Sequence, residues 1–86
     1  MNSSSKDTIN FCLSFIKDNF DEASQRTMCR TWLKTAVTTI KAENLGSGDF
    51  IISELIAIDQ YLSGANSSMT PVDVTTKLDT VNQLLG

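Results

Sequence analysis

The chemistry open to this chain is limited by its lack of histidine, of which its 86 residues contain none. Histidine is the usual general base near neutral pH, and it completes the common serine and cysteine nucleophile pairs. It is also the commonest metal ligand, and a di-iron site in a helical bundle would need Glu-x-x-His pairs. The sequence therefore predicts a protein that is not an enzyme and holds no metal.

The acidic residues and the glycines do not supply a substitute site. Asp49, Glu54 and Asp59 are spaced by five residues, so they do not converge on one face of a helix. The stretch Gly46-Ser47-Gly48 lacks the lysine and the spacing of a phosphate-binding loop. We therefore expect no cofactor.

The two cysteines are the remaining reactive side chains. If the first two helices form an antiparallel hairpin, Cys12 and Cys29 come level with each other, and a disulfide would need a Cα separation below about 7 Å. No secretory signal accompanies them, which favours two reduced thiols that act as small apolar core residues.

A strip of basic residues is the most distinctive charge pattern. The second predicted helix carries four of the seven basic residues of the chain within an arc of about 80°. This basic strip consists of Arg26, Arg30, Lys34 and Lys41. It is interpreted either as a contact surface for an acidic protein or a nucleic-acid backbone, or as a solvated face that includes an ion pair from Glu22 to Arg26. No aromatic residue interrupts the strip, so an acidic protein partner is the first hypothesis and nucleic acid the second.

Two further patterns are a row of threonines on the second predicted helix and pairs of apolar residues on the first and third. A row of threonines lies beside the strip: Thr27, Thr31, Thr35 and Thr38. We expect these hydroxyls to be solvated and to bond back to preceding carbonyls; the alternative is that the row allows another helix to approach closely.

Two apolar pairs add surface beyond what a minimal bundle requires: Phe11 with Phe15, and Ile52 with Ile56. Each pair is either core or an exposed patch that a homodimer or a partner groove would bury.

Apolar periodicity predicts four helices, at about residues 5–19, 22–45, 49–63 and 71–85. Ser5 is the predicted N-cap of the first helix. The apolar stripes of the first two helices differ in direction by more than about 100°, which places a break between them, with Asp21 and Ser24 as candidate N-caps. The second helix is expected to end at Gly46 and the third at Gly64.

The fourth helix has the clearest start signal. Thr70 stands at the N-cap, Pro71 at the first helical position and Asp73 at the third, which is a variant of the capping box. Short connections favour antiparallel neighbours, so the predicted fold is all-α, a small antiparallel four-helix bundle. Residues 1–4 are predicted to be a disordered polar tail and residues 5–86 a single domain, with Trp32 and Tyr61 on inward faces.

Composition and charge exclude several classes of protein. Hydrophobic residues make up 41% of the chain and the net charge is −3, which fits a globular protein and disfavours broad binding to nucleic acid or anionic membranes. No apolar run approaches the roughly 20 residues of a membrane span, and no signal peptide is recognisable. We expect a cytoplasmic protein with no membrane association.

In size and acidity the chain resembles the acyl carrier proteins, in which the attachment serine stands in an Asp-Ser-Leu motif. The nearest stretch here, Gly46-Ser47-Gly48-Asp49-Phe50, lacks that order, and the long first loop of that family is missing. Small bacteriocin-immunity proteins are also acidic four-helix bundles, but no motif here identifies one. The resemblance stays one of size and charge.

The sequence thus predicts a non-enzymatic protein–protein interaction module, such as a small regulator, inhibitor or accessory subunit. The expected binding surface is a helix face made by the basic strip, with Phe11 and Phe15 as an apolar anchor. Two alternatives stay open: a nucleic-acid-associated protein that uses the basic strip, and a carrier of an apolar ligand or acyl group.

Overall fold

The computed structural model describes residues 2–86. These residues form four helices: Ser3–Asn19 (α1), Arg26–Glu43 (α2), Gly48–Ser63 (α3) and Pro71–Leu85 (α4). A short 3₁₀ turn at Ala23–Gln25 precedes α2. None of these helices is long and apolar enough to cross a membrane. The predicted all-α class is confirmed.

The helices form an antiparallel bundle in which each packs on two neighbours. Along α1, Lys6 reaches Gly86 and Lys17 reaches Asp79, so α1 and α4 run in opposite directions. Between α2 and α3, Arg30 pairs with Asp59 and the earlier Arg26 packs on the later Tyr61, so these helices also run in opposite directions. The packed pairs are α1 with α2, α2 with α3, α3 with α4, and α4 with α1, which closes the bundle.

The core consists of the apolar stripes of all four helices. Each helix contributes three to five buried residues, spaced so that they share one face. Among the most deeply buried side chains are those of Ile9, Leu13, Ile16, Leu33, Ile40, Ile51, Leu55, Ile58, Val74, Leu78 and Val81.

The first helix begins two residues earlier than predicted. Asn2, not Ser5, is the N-cap, because its side-chain oxygen accepts a hydrogen bond from the Ser5 backbone N–H at 2.8 Å. Ser3 and Ser4, which were assigned to a disordered tail, form the first turn of α1. Met1, the first residue of that predicted tail, lies outside the described residues.

The ends of α2 also differ from the prediction. A 3₁₀ turn precedes the helix, and neither Asp21 nor Ser24 is its N-cap. At the other end Asn44 adopts the left-handed conformation with φ of 53°, so the helix stops before Gly46. Asparagine reaches this conformation more easily than other non-glycine residues, and here it takes the terminating role that glycine was expected to have.

The last two helices follow their local signals more closely. Gly64 ends α3 in the left-handed conformation with φ of 84°, as predicted, while α3 begins at Gly48, one residue early. At α4, Thr70 accepts a hydrogen bond from the Asp73 N–H, and the Asp73 carboxylate accepts one from the Thr70 N–H. The predicted capping box is therefore present.

Candidate functional site

The basic strip of α2 lies along the flank that faces α3, and Arg30 is engaged there. Its Nε lies 2.9 Å from Oδ1 of Asp59 and its Nη2 lies 3.4 Å from Oδ2. This hydrogen bonding, reinforced by the charge of Asp59, raises the pKa of the Arg30 guanidinium. Arg30 therefore joins α2 to α3 through a two-point ion pair.

Arg26 also interacts with α3. Its guanidinium carbon lies 5.5 Å from the centre of the Tyr61 ring, which is within the range of a cation–π contact. Its Nε is buried and has no hydrogen-bond partner among residues 2–86. The side chain thus packs against Tyr61 and forms none of the salt bridges in the described part of the chain, including the one expected from Glu22.

The two lysines are the exposed members of the basic strip. Lys34 and Lys41 are exposed, and neither forms a salt bridge within the described residues. They are seven residues apart on α2, so they lie on the same side of the helix about 10 Å apart along its axis. The cationic surface open to a partner is therefore carried mainly by these two residues.

A groove of about 340 Å³ lies between α2 and α3, beside Lys34. Four apolar side chains form most of its walls: Leu33, Val37, Leu55 and Ile56. Three polar side chains complete the lining: Lys34, Thr38 and Asp59. Ile56 is 47% exposed, whereas Leu55 is fully buried. The groove therefore combines an apolar floor with the exposed cation of Lys34 at its edge. Ile56 belongs to its exposed part, while Ile52 packs against the core.

Phe11 and Phe15 lie on the opposite flank of α2, apart from the basic strip. Their rings pack against Trp32 with centroid distances of 5.1 Å and 6.2 Å, the first in an edge-to-face arrangement. Phe11 is 56% exposed and Met28 is 48% exposed. We call Phe11, Phe15, Met28 and Trp32 the aromatic face.

The sequence did not predict this grouping. Trp32 was predicted to lie on an inward face, but it is only partly buried, and Met28, four residues before it, is exposed. The sequence feature that could have indicated it is the four-residue spacing of Met28 and Trp32, which places both on one side of α2.

The threonine row follows the predicted pattern in part. Thr31 donates a hydrogen bond to the carbonyl of Thr27, and Thr35 donates one to the carbonyl of Thr31. These bonds satisfy the hydroxyls within α2, as expected for threonines on a solvated helix face. The row separates the basic strip from the aromatic face.

Both cysteines are free thiols in the core. Burial raises the pKa values of Cys12 and Cys29, which disfavours the reactive thiolate form. Within residues 2–86, no three histidine, cysteine, aspartate or glutamate side chains are grouped so that they would hold a metal ion.

Protein-family models, curated proteins and solved structures were compared with the chain, and none of them matches. Its function is therefore inferred from the surface chemistry of the groove, the basic strip and the aromatic face.

Proposed function

We propose that the protein is a non-enzymatic interaction module that binds an acidic, amphipathic helix of a partner protein along the groove between α2 and α3. The observation that carries this proposal is the ammonium group of Lys34, which has no salt-bridge partner among residues 2–86 and lies at the edge of an apolar groove. Such a site can bury the apolar side of a partner helix and form a salt bridge to one of its carboxylates, and these two interactions hold an amphipathic helix in a groove.

The spacing of the two free lysines defines the expected partner sequence. Lys34 and Lys41 are two helical turns apart, so carboxylates seven residues apart on a partner helix would have matching positions. Apolar residues three or four positions from these carboxylates would face Val37 and Ile56 in the groove. The partner helix is thus expected to be acidic on one side and apolar on the adjacent side.

A nucleic-acid partner fits this surface less well. Asp59 places a carboxylate in the groove lining and already holds the guanidinium of Arg30, so fewer cations are available to phosphates. The groove lining contains no aromatic ring for base stacking. An acidic helix, by contrast, needs only the cations that are free.

Affinity purification of the tagged protein from its native host tests the proposal, with Lys34→Glu as the test variant. Lys17→Glu is the matched control because it changes net charge equally on the α1–α4 side, where it replaces an ion pair with Asp79 by a repulsion between two exposed, well-solvated carboxylates that costs about 1 kcal/mol. We expect a stoichiometric protein partner to be lost with Lys34→Glu and kept with Lys17→Glu.

Calorimetric titration of the purified partner then gives the affinities. A loss of about tenfold or more with Lys34→Glu alone would support the groove as the binding site. Equal binding by both variants, or equal loss in both, would contradict it. Recovery of nucleic acid whose binding weakens steeply with salt would favour the alternative function.

A further inference from the structure

The aromatic face is a second exposed apolar surface, on the side of α2 opposite the groove. Its two most exposed members, Phe11 and Met28, come from different helices, and the partly buried Trp32 packs against Phe11. Aromatic residues and methionine are enriched at protein interfaces: aromatic rings bury much area with few rotatable bonds, and methionine adapts its shape to the partner surface. The surface therefore has the composition of an interface centre.

The border of the aromatic face is acidic on the α1 side. Asp7 precedes Phe11 by one turn and Asp18 follows Phe15 by three residues, so both carboxylates lie next to the rings. Both are exposed, and neither forms a salt bridge within residues 2–86.

The cations nearest in sequence do not neutralise this border. On α1, Lys6 donates to the carbonyl of Gly86 and Lys17 pairs with Asp79, so both lysines face α4. On α2, the adjoining side chains are those of the threonine row. The aromatic face thus has negative charge on one side and neutral hydroxyls on the other.

This charge pattern discriminates between two occupants. In a symmetric contact, a second copy of the chain would bring the same acidic border to the interface and no cation of the aromatic face to pair with Asp7 or Asp18. Like charges at such a contact oppose association, and the net charge of −3 adds to that repulsion. A helix with basic residues beside its apolar side would instead be attracted.

We propose that the aromatic face is a second docking surface, which takes a basic amphipathic helix of a partner protein. Its apolar residues would cover Phe11, Met28 and Trp32, and its lysines or arginines would pair with Asp7 and Asp18. This surface differs from the groove in position and in charge preference. The two surfaces together would allow one small bundle to contact an acidic segment and a basic segment on opposite flanks of α2.

Trp32 provides a direct readout, because it is the only tryptophan of the chain and belongs to the aromatic face. The probe is a synthetic amphipathic helix of about 18 residues, made of leucine and lysine and free of tryptophan, with a leucine–glutamate peptide of the same pattern as its control. We expect a saturable change in Trp32 emission with the leucine–lysine peptide and none with the leucine–glutamate peptide.

Variants then assign the binding site. The double substitution Asp7→Lys and Asp18→Lys, and separately Phe11→Ala, are expected to raise the Kd by about tenfold or more, whereas Asp49→Lys, which changes an exposed carboxylate at the start of α3, leaves it within about twofold. Circular dichroism checks that each variant remains folded. Equal emission changes with both peptides, or unaltered affinity in the double variant, would overturn the proposal. Sedimentation that shows a dimer lost in Phe11→Ala would assign the aromatic face to a second copy and overturn it as well.

Discussion

At the scale of single residues, Arg30 illustrates that a cation on an apparent binding strip can be committed to the fold. Its two hydrogen bonds to Asp59 bridge α2 and α3 at one end of the groove. A charge reversal at Arg30 would therefore set two carboxylates against each other. An effect on partner binding would then be mixed with an effect on folding, which is why Lys34 is the better test position.

We predict that Arg30→Asp lowers the melting temperature and that the exchanged pair, Arg30→Asp with Asp59→Arg, restores most of the loss. The reason is that the exchange recreates an ion pair of opposite polarity at the same site. Thermal melts of the wild type, both single variants and the double variant, followed by circular dichroism, complete the cycle. Losses that simply add in the double variant would show that the two side chains are not coupled.

Residue patterns alone did not predict this pairing. The helical wheel placed the four basic residues on one arc correctly, but Asp59 lies 29 positions after Arg30 and belongs to another helix. The same limit applies to Phe11 and Trp32, whose contact depends on how α1 and α2 are rotated about their axes. Periodicity assigns a residue to a side of its own helix, and only packing decides what that side meets.

At the scale of elements, the quality of the prediction followed the strength of local capping signals. The start of α4 is encoded by Thr70, Pro71 and Asp73 within four residues, and it was predicted to the residue. The end of α2 was not, because Asn44 and Gly46 both offer a termination point and sequence does not rank them.

The start of α1 is tied to the end of α2, and this link is expected to depend on pH. The backbone N–H of Asn2 donates to Oε1 of Glu43 at 3.1 Å. Hydrogen bonds from the Ser5 side chain and from this N–H lower the pKa of Glu43 below its ordinary value of 4.5. A lowered folded-state pKa means that the link stabilises the fold above pH 4.5 and is lost as the pH falls through the folded-state pKa.

We therefore predict that Glu43→Gln weakens the first turn of α1 at neutral pH and has no effect in strong acid. Amide hydrogen exchange at Ser5 and Lys6 measures the turn directly, and an NMR titration of the Glu43 carboxyl gives its pKa. The difference between wild type and variant should shrink as the pH falls. A Glu43 midpoint at or above 4.5 would contradict the proposed link.

At the scale of the whole molecule, α2 is the wall shared by both proposed surfaces. The groove with Lys34 lies on its α3 side, and the aromatic face lies on its α1 side, with the threonine row between them. A stable α2 is therefore required for either surface to keep its shape. That stability comes from the common core, since the polar links between helices lie near the surface.

Leu55 and Ile56 test this division between core and surface at adjacent positions of α3. Leu55 is fully buried and Ile56 is 47% exposed, although both line the groove. Leu55→Ala removes buried methyl groups and leaves a cavity, with an expected loss of about 2–5 kcal/mol in the free energy of unfolding. Ile56→Ala removes partly exposed surface, for which we expect a loss of roughly 1 kcal/mol.

Urea unfolding of the two variants measures both values, and the size of the domain makes the difference consequential. An 86-residue protein has a total stability of about 4–13 kcal/mol, so Leu55→Ala removes a large share of it while Ile56→Ala leaves a folded protein. Ile56→Ala is then expected to weaken the binding of an acidic partner helix without unfolding α3. If the two variants lost equal stability, Leu55 would not belong to the shared core, and the groove would not rest on a rigid floor.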